Sequence, residues 1–142
     1  MGAAPSRMPF DHLGIAVRSL KEAIPRWEST LGQKAGSIEE VPGQGVRVRF
    51  LPAGPGSLEF LEPTRPDSPV GRFLERRGEG LHHVAFSVTD LRAQLQALEG
   101  RGIRLIDREP RRGARGHWVA FGHPESFGGV LTEFVQPGED PP

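Results

Sequence analysis

The sequence of 142 residues contains no cysteine, which rules out a disulfide framework and any thiolate metal site. It has no apolar run near the roughly 20 residues that a membrane-spanning helix needs. The N-terminal MGAAPSRMPF lacks the apolar stretch of a secretory signal. These absences lead to the expectation of a cytoplasmic protein. Net charge is missing too: 18 Lys+Arg against 18 Asp+Glu give a formal charge of zero, which argues against a nucleic-acid surface as the main role. Lysine is scarce, with only Lys21 and Lys34, and biased codon usage explains the preference for arginine without invoking a function. What is present is ordinary. Hydrophobic residues at 36% and charged residues at 25% describe a globular chain, and the length suits one domain or two small modules that share a core.

The chain reads as a pattern written twice. The first copy opens with Phe10-Asp11-His12-Leu13-Gly14-Ile15-Ala16-Val17, the second with Leu81-His82-His83-Val84-Ala85-Phe86-Ser87-Val88. Both alternate as strands do, and each runs into a helical pattern. In the first, Leu20, Ala23, Ile24, Trp27 and Leu31 share a helical face, Ser19 and Glu22 form a capping box, and Gly32 stops the helix. In the second, Asp90 is the expected N-cap, Leu91, Leu95 and Leu98 form the stripe, and Gly100 and Gly102 end it. Three strand candidates follow each helix, at 33–40, 45–52 and 57–62, then at 103–107, 117–122 and 129–135. Between the copies, Ser68-Pro69 starts a short helix carrying Val70, Phe73 and Leu74 and ending at Gly78. The expected organisation is α+β: one domain at 10–136, with modules 10–63 and 80–136 of strand–helix–strand–strand–strand joined by a linker helix at 64–79. The ends, 1–9 and 137–142, read as flexible tails.

Metal-ligand residue types recur at matching places. His12 and His83 hold the third position of the two opening strands, and Glu59 and Glu133 sit in the last strand of each copy. Alternation chooses between the adjacent histidines. His12 shares its face with small Gly14 and Ala16, and His83 shares its face with small Ala85 and Ser87. His82 falls with Val84 and Phe86, on the side expected to meet a helix. Two imidazoles and two carboxylates suit a divalent ion such as Co, Ni, Mn, Fe or Zn, with positions left open for substrate. A single strand histidine is more often structural, but four ligand types at repeat-related positions are hard to obtain by chance.

With these residues in view, the chain resembles the methylmalonyl-CoA epimerases of the glyoxalase-like (vicinal oxygen chelate) superfamily. The resemblance runs through Asp11–Val17, VPGQGVRVRFLP at 41–52, LEPTRPDSPVGRFLERRGEGLHHVAF at 61–86 and GGVLTEFV at 128–135. It implies two modules closing a cup-shaped mixed sheet around a metal, a homodimer, and interconversion of (R)- and (S)-methylmalonyl-CoA. It maps the ligands onto His12, Glu59, His83 and Glu133, with cobalt as the implied ion and nickel, manganese or zinc as substitutes. Such an ion acts as a Lewis acid on the thioester, while inversion needs a proton removed on one face and returned on the other.

The sequence also departs from the family pattern. Val48 stands where some members carry a glutamate proposed as the second base, and Glu59 stands where they carry glutamine. Glu133 and Glu59 are therefore the expected catalytic pair. His123-Pro124 is followed by Glu125 where a lysine is common, so CoA contacts do not carry over to that segment. Gln44 reads equally as a substrate hydrogen-bonder or a turn residue. Arg111, Arg112 and Arg115 are candidates for CoA phosphates, although a solvated loop also accounts for them. His82, His117 and His123 read as structural. Competing functions are a lactoylglutathione lyase with the same ligand set, an extradiol dioxygenase, which a fourth ligand crowds, and a non-catalytic binding protein of the bleomycin-resistance type, which needs no such ligands.

Overall fold

Side-chain caps set where each helix begins. In the computed structural model, which describes residues 7–138 and 140, Ser19 accepts from Glu22 N at the start of α1 (Leu20–Leu31). Ser68 accepts from Gly71 N at the start of α2 (Pro69–Arg77), with Pro69 at its first position. Asp90 accepts from Ala93 N at the start of α3 (Leu91–Gly100). Each cap satisfies an N–H that has no partner inside the helix. Gly32, at φ 65°, ends α1 in the left-handed conformation that glycine tolerates best.

The strands are β1 (Phe10–Ala16), β2 (Glu39–Val41), β3 (Val46–Ala53), β4 (Gly56–Pro63), β5 (Gly80–Ser87), β6 (Arg111–Arg112), β7 (Trp118–Gly122) and β8 (Thr132–Gln136). They pair in the orders β2-β3-β4-β1 and β5-β8-β7-β6, each mixing one parallel with two antiparallel ladders. Together with the three helices they give the α+β architecture expected from the repeat. The described residues divide into two compact units, 12–82 on the one hand and 7–11 with those from 83 onward on the other. In the first, Leu20 and Ile24 of α1 pack with Ile15, Val17, Leu51 and Phe60, and Ala23 and Trp27 add partly buried surface. In the second, Leu91, Leu95 and Leu98 of α3 pack with Val88, Ala120 and Phe134. These are the two stripes legible in the sequence. Leu31, expected on the first, is 42% exposed in the final turn of α1.

Two strand expectations are corrected. Residues 33–38 are not a strand, and only Glu39–Val41 pairs with β3. Ala35 N donates to the Glu28 carboxylate, Gly36 N donates to Phe50 O, and Arg49 donates to the carbonyls of Ala35 and Gly36. Side chains thus satisfy backbone groups that a ladder would otherwise claim. Residues 103–107 likewise make only an isolated bridge, Leu105 to Gly122. Ile106 and Asp107 both donate to Phe121 O, and the Asp107 carboxylate accepts from Phe121 N at 2.9 Å. The strand of that module lies instead at β6, after Pro110. Of the expected tails, residues 1–6, 139, 141 and 142 lie outside the described residues, while Met8 packs against the α3-side core.

The linker helix is seated tightly. A Cβ built on Gly71 would stand 2.4 Å from the Pro66 carbonyl oxygen and 2.8 Å from that of Arg65. Both are backbone atoms that cannot rotate away. Gly71→Ala is therefore expected to lower stability by about 1–3 kcal/mol, the usual cost of overpacking, read as a lower urea midpoint at constant m-value. An unchanged midpoint would show that the 65–68 turn yields freely.

Candidate metal centre

Register places the ligand types on one face of each unit. In residues 12–82, β1 and β4 run parallel with Gly14 beside Glu59 and Ala16 beside Leu61. β3 and β4 run antiparallel with Phe50 beside Glu59 and Val48 beside Leu61. Partners in register point the same way and residues two apart share a face. His12, Glu59, Phe50 and Val48 therefore lie on one side, with small Gly14 and Ala16 between strands' larger groups. His12 Nε2 is 3.2 Å from Glu59 Oε1, and the Phe50 ring meets the His12 ring edge-on at 5.6 Å.

The unit of residues 83–142 repeats this arrangement. Ala85 lies beside Glu133 across β5 and β8, and Phe121 lies beside Glu133 across β7 and β8. His83 Nε2 is 3.2 Å from Glu133 Oε1, with the Phe121 ring edge-on to His83 at 5.6 Å. The two phenylalanines went unremarked in the sequence. No local signal marks them, since only the strand register sets each beside one of the buried glutamates.

His12, Glu59, His83 and Glu133 are 3%, 4%, 5% and 5% exposed. Each unit thus holds one buried histidine–glutamate pair of metal-ligand types, His12 with Glu59 and His83 with Glu133. Two carboxylates this deeply buried are costly unless their charge is compensated. Neutral imidazoles do not compensate it, whereas a divalent cation does. The residues therefore fit such an ion in charge, donor type and accessibility. An aromatic ring stands edge-on to each imidazole.

The other candidates are distributed as follows. His82 turns from the ligand face by alternation, and its ring meets Phe73 edge-on at 4.9 Å. His123 Nδ1 accepts from Glu125 N, and His117 Nδ1 accepts from Gly138 N, so both rings hold backbone N–H groups. Glu125 pairs with Arg104. Gln44 is half-buried at the end of a 3-10 turn, Pro42–Gln44. The following Gly45 sits at φ 66° against Arg65 and Ser68 and leaves no room for a Cβ. Val48 is 1% exposed. Arg111 and Arg112 form β6, opposite Val119 and Trp118 respectively. Arg112 lies over the Trp118 ring at 4.4 Å, and Arg115 is exposed in a left-handed turn at φ 59°. No helix among the described residues is long and apolar enough to cross a membrane.

Comparison with known proteins agrees with this geometry. The family model described as Glyoxalase/Bleomycin resistance protein/Dioxygenase superfamily matches residues 11–121. The chain is 48% identical to the Bacillus subtilis protein YqjC, over 92% of this chain and 94% of that one. It is 36% identical to an ethylmalonyl-CoA/methylmalonyl-CoA epimerase of Cereibacter sphaeroides, over 89% and 96%. A solved structure of a Streptomyces coelicolor methylmalonyl-CoA epimerase variant, in complex with 2-nitronate-propionyl-CoA, superposes with a TM-score of 0.88 at 36% identity, covering 96% of this chain and 99% of that one. With its repeated strand–helix–sheet units and its buried His/Glu cluster, this chain belongs to the Glyoxalase/Bleomycin resistance protein/Dioxygenase superfamily.

Proposed function

We propose that the protein is a metal-dependent methylmalonyl-CoA epimerase. The observation that carries this reading is the duplicated pair of buried histidine and glutamate, which supplies both a divalent-ion site and two carboxylates able to move a proton. Support also comes from the epimerases to which the chain is about 35% identical. His12, Glu59, His83 and Glu133 would hold the ion, with cobalt the first choice by resemblance. When bound, the ion supplies Lewis acidity that stabilises negative charge on a thioester oxygen.

The remaining work falls to the chain. The α-proton of a thioester is far too weakly acidic for a carboxylate in water, so proton transfer needs a held geometry and a shielded site. Glu133 is the proposed base on one face of the α-carbon and Glu59 the group that serves the other. Val48 has no proton to give, and the proposal assigns the inversion to this pair. Phe50 and Phe121 shield the imidazoles. Gln44 and the arginines of the 111–115 segment are the proposed substrate contacts, and the working assembly is proposed as a homodimer.

The test is to incubate metal-loaded protein with (S)-methylmalonyl-CoA in deuterated water. The expected result is α-deuterium in the thioester together with formation of the (R) isomer. Absence of both exchange and inversion would reject the activity. Turnover of the hemithioacetal of methylglyoxal and glutathione in its place would assign the lactoylglutathione lyase reaction instead.

A further inference from the structure

The two units repeat each other around the histidine–glutamate pairs, and on that face the repeat departs at the register position on the edge strand. Phe50 and Phe121 are each the strand partner of a ligand glutamate, and Val48 and Val119 lie two residues before them on the same face. The partner of Val48 on β2 is Glu39. The partner of Val119 on β6 is Arg111. Equivalent positions on the ligand faces of the two units thus carry opposite charges.

Arg111 is prepared for an anion. Its guanidinium lies over the Phe121 ring at 5.7 Å, and that ring in turn abuts His83. The arginine is therefore one aromatic ring away from the ligand pair. Asp107 holds its near side: Oδ1 is 3.3 Å from Arg111 Nε, while Oδ2 is anchored by Phe121 N. Arg111 Nε is buried without a well-formed hydrogen bond. Among the described residues no group accepts a hydrogen bond from its terminal nitrogens. Stacking and a fixed carboxylate reduce the side-chain freedom lost when a fork of donors closes on a carboxylate or phosphate. Arg112 differs. Its strand partner Trp118 packs on the α3 side of the sheet, and its own guanidinium is spent on that ring and on Gly116 O.

We infer that Arg111, on the ligand face beside Phe121, is the specificity-determining residue that binds an anionic oxygen group of the substrate, with Asp107 as its positioning residue. The inference rests on the acyl-CoA reading above for the identity of the ligand. The anion is either the acyl carboxylate or a phosphate of coenzyme A, and both offer the same chemistry to the guanidinium.

Titration calorimetry on metal-loaded wild type and Arg111→Gln, with methylmalonate and free coenzyme A as separate probes, distinguishes these sources. The expected result is a loss of roughly ten- to a hundredfold in affinity for one probe, as for a charge-assisted hydrogen bond, with the other changed by less than about twofold. Weakened methylmalonate assigns the carboxylate, and weakened coenzyme A assigns a phosphate. Asp107→Asn should weaken the same probe by a smaller factor. In turnover, Arg111→Gln should raise KM for methylmalonyl-CoA with kcat nearly kept. Retention of both affinities, loss of both together, or failure of wild type to bind either probe overturns the inference. A wild type that binds a probe but does not epimerise rejects the proposed activity alone, and the binding comparison still judges Arg111.

Discussion

Glu59→Gln is expected to keep its metal ion and to lose epimerisation by a factor of roughly 10²–10⁴, the usual worth of general acid–base catalysis. The substitution separates two roles carried by one side chain. Glutamine retains an oxygen that can ligate but no longer has a carboxylate that accepts a proton. Glu59 is 4% exposed and 3.2 Å from His12, so a side chain of the same shape should fit without repacking. Metal content by elemental analysis comes first, since a metal-free variant would report only on binding. With the ion in place, the variant should still exchange the α-proton of one stereoisomer through Glu133. A metal-replete variant that epimerises near the wild-type rate would make Glu59 a ligand only. The second proton would then have to come from another group.

His83→Ala should abolish stoichiometric metal binding and with it nearly all activity, whereas His82→Ala should leave both nearly intact. The two residues are neighbours in sequence and opposites in environment. His83 is 5% exposed and 3.2 Å from Glu133. His82 spends its ring on Phe73 of α2. A ligand that binds only the native state stabilises it by about 2.7 kcal/mol at a hundred times Kd. Added cobalt should therefore raise the melting temperature of wild type and His82→Ala but not that of His83→Ala. The reverse pattern would show that strand alternation had been read with the wrong parity.

Alternation and capping made much of this site readable in advance. His12 and His83 were distinguishable as ligand candidates because a strand repeats every two residues, so the small residues sharing their face could be named from local order alone. The helices were legible for a related reason: Ser19, Ser68 and Asp90 each act within three residues of themselves. What failed was the strand after each helix, at 33–38 and 103–107. There a backbone ladder competed with side-chain bonds, from Glu28 and Arg49 to residues 35 and 36 in one unit and from Phe121 N to Asp107 itself in the other, and no local pattern records which prevails.

By itself, then, the sequence determined the twofold repeat, the helix ends and the faces of His12, His82 and His83, because these depend on contacts or periods a few residues long. Only the tertiary structure decided which residues became strand partners. It set Phe50 and Phe121 beside the two glutamates and moved the last module's edge strand to 111–112. It also turned Arg111 toward the ligand face while Arg112 stacked on Trp118. Register is a nonlocal choice, and a slip of one residue reverses every side chain on a strand. The assignment of these two adjacent arginines to different faces therefore followed from the pairing of β6 with β7 and not from their own short segment.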